Sequence, residues 1–96
     1  MILEVKGVHF ELTDKDRQLV EKKLRKIEKA KGDIISLHLN FIQDKKEFRL
    51  EAIIHFRWGH QSFIHVNNYH LHEGIDKLFD KIVSQITKEK ERVKEH

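Results

Sequence analysis

The chain contains no cysteine. That excludes disulfides and thiolate metal sites, and it fits a cytosolic protein. Proline is also absent, so no proline-rich linker divides the 96 residues, and no internal repeat or low-complexity tract appears. No apolar run is long enough to predict a membrane span. The opening Met1-Ile2-Leu3-Glu4-Val5-Lys6 lacks the basic-then-apolar order of a signal peptide. A glycine-rich phosphate loop and a nucleophile elbow are both missing, which leaves catalysis without residues to carry it. Neither an enzyme activity nor a cofactor nor a small-molecule substrate is expected. Hydrophobic residues make up 39% of the chain, enough for one folded domain over residues 1–96 with a small core.

The net charge of +3 is mild, but its distribution is not. Residues 13–32 hold eight lysines and arginines against four acids, whereas residues 71–96 hold six of each. In the second segment the signs are sorted in space. At about 100° per residue, Ile75, Leu78, Phe79, Ile82, Ile86 and Val93 share one arc of a helix spanning residues 71–95. Lys77, Lys81, Lys88 and Arg92 fall together on the opposite side, along about 22 Å of axis. Asp76, Asp80 and Glu91 gather on a third flank. Solubility alone calls for intermixed signs; a row of cations suits a partner with regularly spaced phosphates.

The rest of the chain reads as alternating elements. Residues 2–12 suggest a strand interrupted at Gly7 by a bulge or bend, with Phe10 and Leu12 resuming it. Thr13 is a helix N-cap candidate, with Asp14 and Asp16 in the first turn and a capping box formed with Asp16. That helix is expected to run to Lys31 and stop at Gly32 as a C′ glycine. It buries Val20, Leu24 and Ile27 and turns Lys15, Lys22, Lys26 and Lys29 outward, with Arg25 nearby. Residues 34–42 alternate, with Ile35, Leu37, Leu39 and Phe41 inward and Ser36, His38 and Asn40 outward. Residues 48–58 place Phe48, Leu50, Ala52, Ile54, Phe56 and Trp58 inward. After a turn at Gly59-His60, residues 61–67 form a last strand with Ile64 and Val66 inward, broken at Asn67-Asn68.

The predicted fold class is therefore α+β, in the order β-α-β-β-β-α. The first crossover makes two strands parallel, and a meander adds two antiparallel ones. Two helices pack on one face of this four-stranded mixed sheet and leave the other face wet. Of the eight histidines, His38, His55 and His65 point to the open face, and His70 and His72 precede the last helix. No carboxylate cluster or His-Glu-x-x-His pattern accompanies them, so no metal site is expected. Ile53 and Phe63 are apolar residues on the open face, which taken singly is ordinary. An aromatic stacking motif of the RNA-recognition-motif kind is absent.

Several segments resemble one family along nearly the whole chain: the ribosome hibernation promoting factors, also called ribosomal subunit interface or sigma-54 modulation proteins. Val5-Lys6-Gly7 through Phe10-Glu11-Leu12-Thr13 looks like the family's strand, glycine bend and helix cap. Lys23-Leu24 with Lys26-Ile27-Glu28 is similar to its first-helix segment. Gly74-Ile75-Asp76-Lys77-Leu78, Asp80-Lys81-Ile82, Gln85-Ile86 and Lys88-Glu89-Lys90 resemble its last-helix signature. The resemblance implies binding to rRNA of the small ribosomal subunit, in the channel used by mRNA and tRNA, and inhibition of translation under stress or in stationary phase. It carries rRNA contact over to Lys23, Lys26, Lys81, Lys88 and Lys90, and helical geometry adds Lys22, Arg25, Lys77 and Arg92. His70-Leu71-His72 and Glu73-Gly74 depart from the family's Asp-Met-Tyr and Ala-Ala, which puts that loop's contacts in question. The chain ends at His96, as in the family's short class, and is expected to be a monomer off the ribosome. Two rivals stay open: a general double-stranded RNA binder, whose module lacks the first strand, and a protein-interaction modulator of transcription.

Overall fold

A computed structural model describes residues 1–94. Its elements are β1 (Ile2–Val8), α1 (Asp14–Leu24), a 3-10 segment (Arg25–Asp33), β2 (Ile34–Asp44), β3 (Glu47–Phe56), β4 (Gln61–Asn68) and α2 (Leu71–Lys94). The sheet order is β1-β2-β3-β4, parallel between β1 and β2 and antiparallel thereafter. This is the expected β-α-β-β-β-α arrangement. The expected last helical residue, Glu95, lies outside the described residues.

Period-two alternation builds the inner face. Leu37 sits opposite Ile54, Leu39 opposite Ala52 and Phe41 opposite Leu50, and all six are fully buried. Leu50 in turn faces Val66 on β4. Onto this surface α2 lays Ile75, Leu78, Phe79 and Ile82, none of them exposed, while Val20, Ile27 and Ala30 close the core from the other helical segment. Each such side chain larger than alanine contributes about 1.5–3 kcal/mol through removal from water. The floor they form positions everything outside it.

Five local expectations need correction. β1 ends at Val8, where His9 takes a positive φ of 68°, so Phe10 and Leu12 pack from a loop and not from a continued strand. A Cβ on Gly7 would lie 2.8 Å from the Phe10 carbonyl oxygen; close approach of backbone to backbone demands glycine there. The α-helix stops at Leu24 and tightens to 3-10, with Gly32 inside that segment and not left-handed. Leu24, Ile27 and Ala30 recur every third residue, which a three-residue turn stacks in a line. At the start of β2 the register shifts between Ile34 and Ser36, so Ile34 is buried and Ile35 is 49% exposed. β3 ends at Phe56, and Trp58 lies in the following turn, partly exposed, stacked on Phe56 at 5.1 Å. Near the end of α2, Val93 is exposed as well, because the helix outruns its floor.

Gly7→Ala is expected to destabilise the protein by about 1–3 kcal/mol through overpacking. Gly32→Ala, which meets nothing within 4 Å, should be neutral or stabilising by about 0.4–1 kcal/mol. Urea unfolding of the two variants side by side checks this; equal stabilities would contradict the close approach at Gly7.

Candidate nucleic-acid interface

Because α2 is α-helical from Leu71 to Lys94, the expected row of Lys77, Lys81, Lys88 and Arg92 stays on one side. The two helical segments are stitched together by ion pairs. Lys23 Nζ lies 2.6 Å from Asp76 Oδ1, Lys26 Nζ 3.4 Å from Asp80 Oδ1, and Lys90 Nζ 3.1 Å from Asp33 Oδ2. The Asp76 carboxylate at that distance outweighs desolvation and raises the Lys23 pKa. Solvent-exposed pairs of this kind add little stability; here they link helical segments whose placement burial has already set.

Between the helical segments runs a groove of about 180 Å³. Its floor includes Ile27, Ala30, Val83 and Ile86, and its rim carries Lys26, Lys29 and Lys90. Lys26 and Lys29 are three residues apart in the 3-10 segment, which sets them one above the other. On the other flank of α2, a more open cleft of about 480 Å³ is lined by Lys77, Lys81, Asp80, His65, Val66 and Asn67. Asp80 touches both sides, pairing with Lys26 and bordering Lys77 and Lys81. The cations of the two segments therefore meet across it.

The nine candidate residues divide into two groups. Lys23, Lys26, Lys77, Lys90 and Arg92 each hold a carboxylate: Asp76, Asp80, Glu73, Asp33 and Glu89 respectively. Lys22, Arg25, Lys81 and Lys88 are exposed and make no ion pair among the described residues. Lys81 Nζ instead donates to the His65 carbonyl at 3.3 Å. Lys29 was on the outward stripe but not among the nine, and only the groove gives it a place.

Two buried acids organise the ends of the helices. Asp16 Oδ2 accepts from the Thr13 amide at 2.9 Å, and the Asp16 amide donates to Thr13 Oγ1 at 3.1 Å, completing the expected capping box. Asp16 Oδ1 lies 2.6 Å from His72 Nε2, tying the start of α1 to the start of α2. At the other end Glu89, only 2% exposed, accepts from Trp58 Nε1 at 2.9 Å and Arg92 Nη2 at 3.1 Å. His60 Nδ1 is 2.8 Å from the same oxygen without completing an aligned hydrogen bond. Glu89 was not expected on the inner face, though its place seven residues after Ile82 is the spacing that marks it. His38 pairs with Glu4 at 2.7 Å, and no cluster of His, Asp or Glu able to hold a metal occurs among the described residues. No helix there is long and apolar enough to cross a membrane.

The model of the sigma 54 modulation protein / S30EA ribosomal protein family matches residues 3–94. The chain belongs to this family. It is 29% identical over 98 residues to the ribosome hibernation promoting factor of Escherichia coli K12, covering all of both chains. It is 27% identical over 92 residues to the factor of that name from Azotobacter vinelandii, covering 96% of this chain and 85% of that one. Among solved structures, a ribosomal subunit interface protein from Coxiella burnetii superposes with a TM-score of 0.85 at 23% identity, covering 94% and 98% of the two chains. The Thermus thermophilus Protein Y N-terminal domain gives 0.78, also at 23% identity, covering 92% and 98%. At that identity the two structures speak for the family's fold alone.

Burial pushes the Asp16 pKa up, but hydrogen bonds from the Thr13 backbone, His72 and the Thr13 side chain, with the charge of His72, leave it below the ordinary 3.8. A carboxyl lowered on folding stabilises above its unfolded pKa, and that stability is lost as pH falls through the folded value. Asp16→Ala should therefore cost about 1–2 kcal/mol at pH 7. The gap to wild type should close as pH drops below about 4. Denaturation series at both pH values check it; a gap that persists in acid would contradict the role of the charge.

Proposed function

We propose that this chain binds the small ribosomal subunit, contacts its rRNA in the mRNA and tRNA channel, and so holds ribosomes idle under stress or in stationary phase. The observation that carries the reading is the stitched helix pair, whose outer surface presents cations from both segments, in a family whose relatives are named ribosome hibernation promoting factors. The action is steric and needs no catalysis. Lys22, Arg25, Lys81 and Lys88 contact phosphates directly. Lys23, Lys26, Lys77, Lys90 and Arg92 share their charge with carboxylates, and on docking they exchange or extend those pairs toward phosphate oxygens. Lysine as a point charge suits positioning on phosphates more than base reading. The protein works in the cytoplasm, where ribosomes are, and is a monomer between encounters.

A general double-stranded RNA binder is the rival this surface also fits. β1, paired in parallel with β2, sets the fold apart from that module's α-β-β-β-α order. Cosedimentation with purified small subunits across a salt series, against a generic RNA duplex, separates them. Wild type should prefer subunits and weaken steeply with salt as counterions are released. Lys81→Glu with Lys88→Glu should abolish subunit binding at moderate salt and flatten the salt dependence by a slope of about two, with an unchanged melting curve. Wild-type retention by that folded double variant would rule out this docking face.

A further inference from the structure

The outer strand carries aromatic side chains that docking by the helix faces does not use. β4 turns Gln61, Phe63, His65 and Asn67 away from the helices, while Ser62 and Val66 are buried on the other side. Phe63 is 53% exposed, and its ring centroid lies 6.1 Å from that of His65. Ile53 stands opposite Phe63 on β3. The sheet margin thus bears an open aromatic step, backed by an aliphatic side chain and extended by an imidazole.

One exposed phenylalanine is ordinary, but its electrostatic surroundings are not. β4 holds no acid among Gln61–Asn68. Three acids border it, and each is already engaged: Glu51, opposite His65, pairs with Arg49 at 2.8 Å, Asp80, across the cleft, pairs with Lys26 at 3.4 Å, and Glu73 pairs with Lys77 at 3.1 Å. Lys81 Nζ reaches over the strand's outer edge to the His65 carbonyl at 3.3 Å, and Lys77 Nζ donates to Asn68 Oδ1 at 3.1 Å. His65 belongs both to the open face and to the cleft that holds these lysines. His65 joins the two, its ring beside Phe63 and its carbonyl holding Lys81, and the strand itself offers a polyanion no repelling acid.

Exposed rings on a strand whose edge holds two ammonium groups match a nucleotide, with the base on a ring and the phosphates on the ammonium groups. We propose that Phe63 and His65 form a stacking platform for an unpaired base of single-stranded RNA, whose flanking phosphates are held by Lys77 and Lys81. The platform rests on the reading that this protein docks on ribosomal RNA, and it adds that the target includes an unpaired nucleotide. Every base has a π face, so the platform tolerates sequence.

The test uses the full chain with a short single-stranded RNA carrying a central 2-aminopurine, its duplex form, and small-subunit cosedimentation. The variants are Phe63→Ala, Phe63→Tyr and Lys81→Glu. Phe63 is exposed, so its replacements should keep the wild-type melting curve. Phe63→Ala is expected to lose the fluorescence quenching and bind the single strand about tenfold more weakly. Phe63→Tyr should retain both, and duplex binding should not change. Wild-type quenching and affinity in Phe63→Ala would overturn the platform; if Lys81→Glu still released subunits, ribosomal docking would survive that failure. A Phe63→Ala variant that lost subunit binding with every RNA probe unchanged would assign the face to a protein partner, and would overturn the proposal too.

Discussion

Two amphipathic helical segments share one apolar sheet face, because that face is the largest surface on which either can bury its stripe. Leu37, Leu39, Phe41, Leu50, Ala52, Ile54 and Phe56 form the floor, all fully buried. Once Val20, Ile27 and Ala30 lie beside Leu78, Phe79 and Ile82 on it, the outer surfaces of both segments point the same way. Cations separated by more than fifty residues of chain are then neighbours. No energetically strong polar contact is needed to bring them together, since burial of the opposite side of each helix does it.

Ion pairs refine what burial sets. Lys23–Asp76, Lys26–Asp80 and Lys90–Asp33 cross between the segments, and Asp16–His72 joins their starts. Exposed pairs are weak and screened by salt, so a lysine held by aspartate is not lost to phosphate. It is pre-placed, and exchange for a polyanion that releases counterions is favourable at modest ionic strength. Lys22, Arg25, Lys81 and Lys88 need no such exchange. On the proposed reading, the surface thus combines ready contacts with oriented reserves.

Much of this was legible in the residues. Alternation over residues 34–42 and 48–58, and the 3.6-residue period of the last helix, give the element order, the mixed sheet and nearly all of the core. Thr13 and Asp16 declare their capping box. What escaped depended on choices that periodicity cannot make. Ile34 and Ile35 are equally apolar, and only the register shift decides which turns inward. Leu24, Ile27 and Ala30 satisfy a three-residue turn as well as an α-helical one. Trp58 continues the inward parity of its strand, yet the strand has ended, and its indole finds Glu89 at the far end of α2. The stripe of cations was visible, but its partners on the other segment were not, because Lys26 and Asp80 lie 54 residues apart and nothing local links them.

The central claim is that the outer surface of the paired helices, and not the sheet alone, faces ribosomal RNA. Cryo-electron microscopy of the protein bound to small subunits tests it most directly. The account predicts density for α1 and α2 against rRNA, with Lys81 and Lys88 at phosphate distance. A complex in which those lysines face solvent while other surfaces make the contact would contradict it.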